Sequence, residues 1–133
     1  MISVIITAYR EPNTIGPAIN ALLPQLPPDA ELLVVCPDPE TTAVVKTLAA
    51  QHPQLRHVPD AGRGKPAAIN TARTAAQGDI LIFPDGDVRV ADGALPPLLA
   101  PFADERVAAV TGRPLSASPR STQLGYWSHL LVH

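Results

Sequence analysis

Two aspartates separated by one glycine, Asp85, Gly86 and Asp87, come shortly after the apolar run 80–83. In an extended segment, side chains two residues apart point to the same side, so the two carboxylates can converge on one ligand. Mg²⁺ and Mn²⁺ prefer oxygen ligands, and Mg²⁺ is often held by one or two carboxylates together with substrate phosphates. Gly86 lets the backbone turn and a ligand approach closely. By itself, however, the triplet is also a common turn sequence.

Two other segments carry side chains that could bind a ligand. Tyr9 and Glu11 follow the apolar run 3–8, and a tyrosine there can offer its aromatic face to a planar base. Taken alone, the simpler interpretation is that Tyr9 caps the core and Glu11 is a solvated charge. Residues 62–65 place two glycines and Lys65 at a predicted helix start, which could form an anion site or a plain flexible loop.

The remaining motifs are less informative. Residues 59–66 are not a phosphate-binding P-loop, because Pro59 takes the place of its first glycine and Pro66 follows the lysine. The segment does match G-x-G-x-x-A, but it follows the third predicted strand rather than the first. The four histidines show no metal-ligand spacing. Cys36 ends an apolar run and is interpreted as a core residue.

Strands and helices alternate along the chain. Short apolar runs predict strands at 3–8, 31–36, 55–58, 80–83 and 107–111, and helical spacing predicts helices at 14–25, 40–51, 66–77, 92–99 and 121–132. This order is typical of a three-layer α/β/α domain with a mostly parallel sheet and helices on both faces. Such sheets bind ligands beyond the carboxyl ends of their strands, here 8–11, 36–40, 60–65 and 84–87.

The composition limits the possible functions. The chain has 133 residues, 46% hydrophobic content and a net charge of −2, so we expect one domain with no affinity for nucleic acid. A single cysteine fits a reducing compartment. No apolar stretch approaches the ~20 residues needed to span a bilayer, and no signal peptide is apparent. We therefore expect a cytoplasmic protein without a membrane span.

Taken in order, four segments resemble the nucleotide-binding half of family 2 glycosyltransferases, which have the Rossmann-like GT-A fold. Residues 3–11 resemble the family's opening strand and A-Y-N-E turn, and 64–70 its G-K-x-x-A-L-N helix start. Residues 78–87 resemble its G-D-x-(apolar)-D-x-D segment, and 110–112 a later strand end. Each match alone is weak, but four at the right spacing are specific and span essentially the whole chain.

The resemblance implies roles for individual residues. The base would lie against Tyr9, and a pocket for base and ribose would be lined by Thr7, Ala8 and Glu11. Lys65 would sit near the nucleotide, and Asp79 would support the pocket.

The Asp-Gly-Asp triplet would hold the other end of the donor. Asp85 would reach the ribose or sugar, Gly86 would allow close approach, and Asp87, with Asp85, would bind Mn²⁺ or Mg²⁺ bridging the diphosphate. The cation would stabilise the departing nucleoside diphosphate. The implied activity is transfer of a sugar, with inversion, to the hydroxyl of a sugar or lipid acceptor.

Two departures from the family pattern matter. The usual D-D-G-S after the second strand is replaced by residues 36–40, so Asp38 is expected to read the base of a UDP-sugar from a shifted position. Arg10 also replaces the usual asparagine. In inverting members an aspartate further along the chain deprotonates the acceptor. We therefore expect that base beyond His133, in a protein truncated before its acceptor-binding half, whose parent could be anchored at the inner face of the membrane.

Two alternatives stay open at the level of sequence. The first is a Rossmann-type dinucleotide binder that uses Gly62, Gly64 and Ala67 and does not need Asp85 or Asp87. The second is a non-catalytic interaction module that binds no nucleotide and uses a stripe of Leu124, Trp127 and Leu131 as its contact surface.

Overall fold

The computed structural model describes residues 1–119, 121–124 and 127. The chain divides into two compact units, Met1–Gly93 and Ala94–His133. The first unit alternates strands and helices: β1 (Ile2–Thr7), α1 (Ile15–Leu22), β2 (Glu31–Cys36), α2 (Pro39–Ala49), β3 (Leu55–Pro59), α3 (Lys65–Ala75) and β4 (Ile80–Ile82). A 3₁₀ turn, Leu23–Gln25, follows α1 directly. Each of these elements overlaps the strand or helix that the apolar pattern predicts.

The strands of the first unit form one four-stranded sheet in the order β3-β2-β1-β4, and every pair is parallel. β1 is therefore a central strand, which explains its continuous run of buried β-branched residues. β4 lies at an edge, and all three of its residues are only half-buried. The prediction of a parallel α/β fold is confirmed.

Alternation along the strands divides the core between the two faces of the sheet. On one face, Ile5, Leu33 and Val35 pack with Ala68 and Ala72 of α3. The two alanines lie four residues apart on one side of the helix, so α3 can approach the sheet closely. The opposite face buries Val4, Ile6, Leu32 and Val34, and the helix pair α1 and α2 buries Ile15, Ile19, Leu22 and Val45. Each such aliphatic side chain contributes about 1.5–3 kcal/mol relative to an exposed one.

The second unit corrects two predictions. Its helix α4 (Leu95–Leu99), followed by the 3₁₀ turn Ala100–Ala103, begins later than predicted, because Gly93 has a φ of 72° that a helix cannot contain. The predicted strand 107–111 is wrong, since these residues make no strand pairing. Its central Ala108 and Ala109 are exposed, and alanine favours a pleated, half-buried surface only weakly.

The last predicted helix, 121–132, falls mostly outside the described residues. Within it, the side chains of Leu124 and Trp127 are exposed, and Leu131 is not among the described residues. In the described part of the chain, no helix has the length and apolar character that a membrane crossing needs.

Candidate functional site

The carboxyl ends of β1 and β4 lie side by side, at the edge of the sheet where the parallel strands end. Beyond the end of β4, Thr7 and Asp85 form an isolated parallel bridge. This bridge continues the pairing of the two strands and fixes the Asp-Gly-Asp triplet beside the loop after β1. The same loop is tied to β2, because the backbone N–H of Ala8 donates to the carbonyl of Val35 over 3.0 Å. Parallel topology thus brings together segments 78 residues apart in the sequence.

Gly86 is the buried member of the triplet. A Cβ atom at this position would overlap Oε2 of Glu11 and would lie 3.0 Å from Cβ of Ala8. A side chain at this position would therefore displace the Glu11 carboxylate and press against Ala8. The triplet is more than a surface turn, because its glycine lets two loops approach each other closely.

Glu11 lies between the two loops. Its backbone N–H donates to Oγ1 of Thr41 over 3.0 Å, while its Oε2 is buried and accepts no hydrogen bond within the described part of the chain. Burial, with the nearby negative charge of Asp87, raises the pKa of the Glu11 carboxyl. A buried carboxylate oxygen without a donor is unfavourable. A ligand hydroxyl or a cation would relieve it.

Lys65 and Asp85 form an ion pair through Nζ and Oδ1. Both side chains are more than half exposed, at 57% and 53%, and such pairs stabilise a fold by only about 0–1 kcal/mol. The lysine can therefore exchange this partner for a phosphate with little loss of folding stability. Asp87 is exposed and makes no ion pair with any described residue.

A small cavity opens beside this ion pair. Its volume is about 190 Å³, and its lining combines apolar and charged side chains: Ile5, Thr7, Lys65, Ile69, Phe83, Pro84 and Asp85. Sites for drug-sized ligands measure roughly 300–1,000 Å³. This cavity is large enough for one ring or one phosphate group, and a larger ligand would extend over the loops at its rim.

Tyr9 lies in the loop that follows β1, and Asp38 lies at the start of α2. The Tyr9 ring is 60% exposed, and the Arg10 guanidinium carbon lies 5.2 Å from its centroid. Asp38 caps α2 by accepting from the Thr41 backbone N–H at 2.9 Å, and its other oxygen accepts from the Arg10 N–H at 2.9 Å. Burial acts to raise the pKa of Asp38, but these backbone donors outweigh it and lower that pKa.

Asp79 does not join the other predicted site residues. It precedes β4 at the amino edge of the sheet, opposite the Asp-Gly-Asp triplet, and its carboxylate accepts from the Met1 amino group at 3.0 Å. Its side chain is 87% exposed. The structure therefore does not bring Asp79 together with the pocket that it was expected to support, because a parallel strand puts the residues before it and after it at opposite edges of the sheet.

The structure adds roles that the sequence did not reveal. Thr41 and Arg10 hold the β1 loop and the start of α2 together, and Ile69 and Phe83 line the cavity. The segment beginning at Asp38 carried one usable signal, because an aspartate before a proline is a typical helix start. That signal places α2 one residue earlier than the predicted start at residue 40.

The chemistry of these residues fits a divalent cation of the magnesium type. The available donors are hard carboxylate oxygens from Asp85 and Asp87, and the orphaned oxygen of Glu11 is nearby. The described residues contain no group of three or more histidine, cysteine or acidic side chains that could hold a metal on their own. Two carboxylates suit Mg²⁺ or Mn²⁺ when phosphates and water complete the coordination.

Comparison with known proteins identifies the class. The fold matches glycosyltransferases of the GT-A type, including TarS from S. aureus, with a TM-score of 0.66 and 24% identity over 91% of this chain and 24% of that one. Residues 3–129 match the sequence profile of "Glycosyl transferase family 2". The chain belongs to this family.

Two further structures are similar at higher identity. One is the mannosyltransferase PcManGT from Pyrobaculum calidifontis in complex with GDP-Man and Mn²⁺, with a TM-score of 0.60, 31% identity and coverage of 65% of this chain. The other is glucosyl-3-phosphoglycerate synthase from Mycobacterium tuberculosis, with a TM-score of 0.63, 25% identity and 78% coverage. The match spans 27% and 40% of those chains, respectively. No curated protein sequence is similar enough to count as a match.

Family membership favours a glycosyltransferase over both alternatives. The Gly62 to Ala67 segment follows β3, whereas the dinucleotide fingerprint follows the first strand of its unit.

Proposed function

We propose that this chain binds a nucleotide-diphosphate sugar through a divalent cation at Asp85 and Asp87, for transfer of the sugar with inversion to an acceptor hydroxyl. The observation that carries the proposal is the Thr7–Asp85 bridge, which sets the triplet against the loop holding Tyr9 and Glu11. The unpartnered Glu11 oxygen beside Gly86 adds an acceptor suited to a ribose hydroxyl or a cation.

Each part of the donor can then be assigned to residues of the site. The base lies against Tyr9, and the ribose lies near Thr7, Ala8 and Glu11. Lys65 leaves Asp85 and neutralises diphosphate charge, as an exposed ion pair permits.

Asp87 and Asp85 hold Mn²⁺ or Mg²⁺, and the small cavity takes one ring or phosphate group of the donor. The bound cation would stabilise negative charge on the leaving nucleoside diphosphate. Asp38 contacts the base, because each of its oxygens can accept a further hydrogen bond beside the backbone N–H that it already accepts. None of the described residues is assigned as the base that deprotonates the acceptor.

The donor we expect from the sequence resemblance is a UDP-sugar, and GDP is the natural second nucleotide to test because the similar mannosyltransferase was solved with GDP-Man. A hexose is the expected sugar, and a sugar or lipid hydroxyl the expected acceptor. The lone buried Cys36 is compatible with the cytoplasm, where we place the protein.

Calorimetric titration tests the proposal. UDP and GDP are titrated into the protein with and without Mn²⁺, and the same is done with Asp87→Ala. A matched control is Asp29→Ala, which removes one exposed carboxylate from a turn of the same unit. We expect Mn²⁺-dependent binding that Asp87→Ala weakens at least tenfold, about 1.4 kcal/mol, and that Asp29→Ala leaves unchanged.

Metal-independent binding, or equal affinity in Asp87→Ala, would refute the assignment of the triplet. Binding of NAD(H) in place of UDP and GDP, insensitive to Asp85 and Asp87, would support the dinucleotide alternative. Absence of any nucleotide binding would support an interaction module.

A further inference from the structure

Arg10 has an unusual backbone conformation. Its φ is 56°, and among the described residues it is the one non-glycine residue with a positive φ. This left-handed region is unfavourable for a long side chain, whereas asparagine and glycine tolerate it better. The chain nevertheless has an arginine where the resembling family has an asparagine. A strained residue that persists suggests a function for its side chain.

The surrounding structure holds this conformation from two sides. The Arg10 N–H donates to Oδ2 of Asp38 over 2.9 Å, and the next N–H, from Glu11, donates to Oγ1 of Thr41 over 3.0 Å. Both acceptors belong to the first turn of α2, which Asp38 caps. The backbone of the β1 loop is therefore fixed by α2, and the side chain of residue 10 is not needed to fix it.

The Arg10 side chain does little for the fold. It is exposed and forms no ion pair with a described residue. Its contact is with the Tyr9 ring, where the guanidinium lies 5.2 Å from the centroid, and that ring is itself 60% exposed. Two stacked, solvent-facing planar groups bury little apolar area, so the strain at Arg10 is not offset by core packing.

We propose that Arg10 is a nucleobase-binding residue, and that its guanidinium and the Tyr9 ring together form the surface on which the base of the donor stacks. The inference rests on the proposed function, because it needs a nucleotide in this site. A guanidinium is planar and stacks on bases as aromatic rings do. Every base has a π face, so Arg10 would add affinity for UDP and GDP alike.

Three variants distinguish the contribution of the Arg10 side chain from the effect of its strained backbone. Arg10→Asn removes the cation and suits the left-handed backbone. Arg10→Lys keeps both the charge and the strain but loses the planar group. Arg73→Gln removes one positive charge from the exposed last turn of α3 and serves as the control. For each protein, the Kd values of UDP and GDP with Mn²⁺ are measured at low and high NaCl, together with the thermal midpoint.

We expect Arg10→Asn to weaken both nucleotides about tenfold, within the range reported for base stacking. Arg10→Lys should weaken them nearly as much, and Arg73→Gln should not change them. The loss should persist at high NaCl, since stacking is not screened as a charge–phosphate contact is. The thermal midpoint of Arg10→Asn should be no lower than that of the wild type, because the strain is relieved.

Wild-type affinity in Arg10→Asn would overturn the inference. Full rescue by lysine, with the difference vanishing at high salt, would overturn it in favour of a phosphate contact. A loss of affinity that parallels a fall in thermal midpoint would instead make Arg10 a structural residue. If Asp87-dependent binding is intact while Arg10→Asn has no effect, only this inference fails; if the wild type binds no nucleotide, the proposed function fails with it.

Discussion

At Gly86, an added methyl group would conflict with two side chains of the loop that follows β1. A Cβ atom there would overlap Oε2 of Glu11 and crowd Cβ of Ala8. Overpacking of this kind destabilises by about 1–3 kcal/mol. We therefore predict that Gly86→Ala lowers the free energy of unfolding by that amount in urea titrations and also weakens nucleotide binding.

A double-mutant cycle tests whether the contact with Glu11 causes the destabilisation by Gly86→Ala. In a Glu11→Ala background, the substitution at Gly86 should destabilise the protein less, because the overlapping oxygen is gone. Gly112→Ala is the control, since a Cβ atom there meets nothing within 4 Å. Equal effects of Gly86→Ala with and without Glu11 would contradict the proposed contact.

Asp38 connects the β1 loop to α2, and its removal should affect both. Asp38→Ala removes the acceptor of the Thr41 and Arg10 N–H groups, and loss of a helix cap costs about 0.5–2 kcal/mol. We predict a fall in stability of this size together with weaker nucleotide binding, and a smaller effect for Asp38→Asn, which keeps one acceptor oxygen.

Thr14→Ala provides the matched comparison, because Thr14 occupies the N-cap position of α1 without a side-chain hydrogen bond. It should change stability little. If Asp38→Ala is as mild as Thr14→Ala in chemical denaturation, the capping role assigned to Asp38 is incorrect.

The sequence predicted the positions of some candidate site residues better than those of others. Tyr9, Lys65, Asp85 and Asp87 follow the carboxyl ends of strands, so the topological rule for parallel sheets was enough to place them at one edge. The predicted strand 80–83 already put Asp79 before β4, so the role that the family motif implied for Asp79 conflicted with the predicted topology. The two hydrogen bonds of Asp38 depend on a loop conformation, and sequence gives no direct information about φ at Arg10.

At the scale of elements, a polar network joins the strands at the amino edge of the sheet. Glu31 accepts from Oγ of Ser3 and the N–H of Gln77, both at 2.6 Å, and from Nη2 of Arg56 at 3.0 Å. The Ser3 hydroxyl in turn accepts from the Gly78 N–H at 2.8 Å. This network fixes the connection from α3 into β4, and therefore the register that delivers Asp85 to the other edge.

The network predicts a pH dependence of stability. Burial acts to raise the pKa of Glu31, but hydrogen bonds from Ser3, Gln77 and Arg56 outweigh it and lower that pKa. A carboxyl with a lowered pKa in the folded state stabilises the fold above its unfolded pKa, about 4.3. That contribution is lost as pH falls through the folded-state pKa.

We therefore predict that Glu31→Gln is less stable than the wild type by about 1–3 kcal/mol at pH 7, and that the difference shrinks below about pH 4.3. Urea unfolding at a series of pH values measures this difference. Glu40→Gln, at an exposed position in the first turn of α2, is the control. A difference between wild type and Glu31→Gln that stays constant down to pH 3 would contradict the assignment.

Elements were predictable where their residues are buried on a sheet. The continuous, β-branched apolar runs of β1 and β2 are typical of a parallel strand covered on both faces, and the structure has them within one residue of the prediction. The predicted strand 107–111 had the same kind of apolar residues but lacks pairing. Pairing depends on residues distant in sequence, so a local pattern cannot supply it.

At the scale of the whole molecule, the chain is a family member that matches only part of the length of similar enzymes. It belongs to family 2 of the glycosyltransferases over residues 3–129, yet its match spans only 27% of the mannosyltransferase and 24% of TarS. We propose that Met1–Gly93 binds the donor and a divalent cation at the carboxyl edge of its sheet.

Amide chemical-shift mapping of the isotopically labelled protein with UDP or GDP and diamagnetic Mg²⁺ tests this claim most directly, because it reports location as well as binding. We predict Mg²⁺-dependent shifts at Thr7, Ala8, Gly86 and Asp87, with Asp79 at the opposite edge unaffected. Shifts confined to the amino edge of the sheet, or equal shifts with and without Mg²⁺, would contradict it.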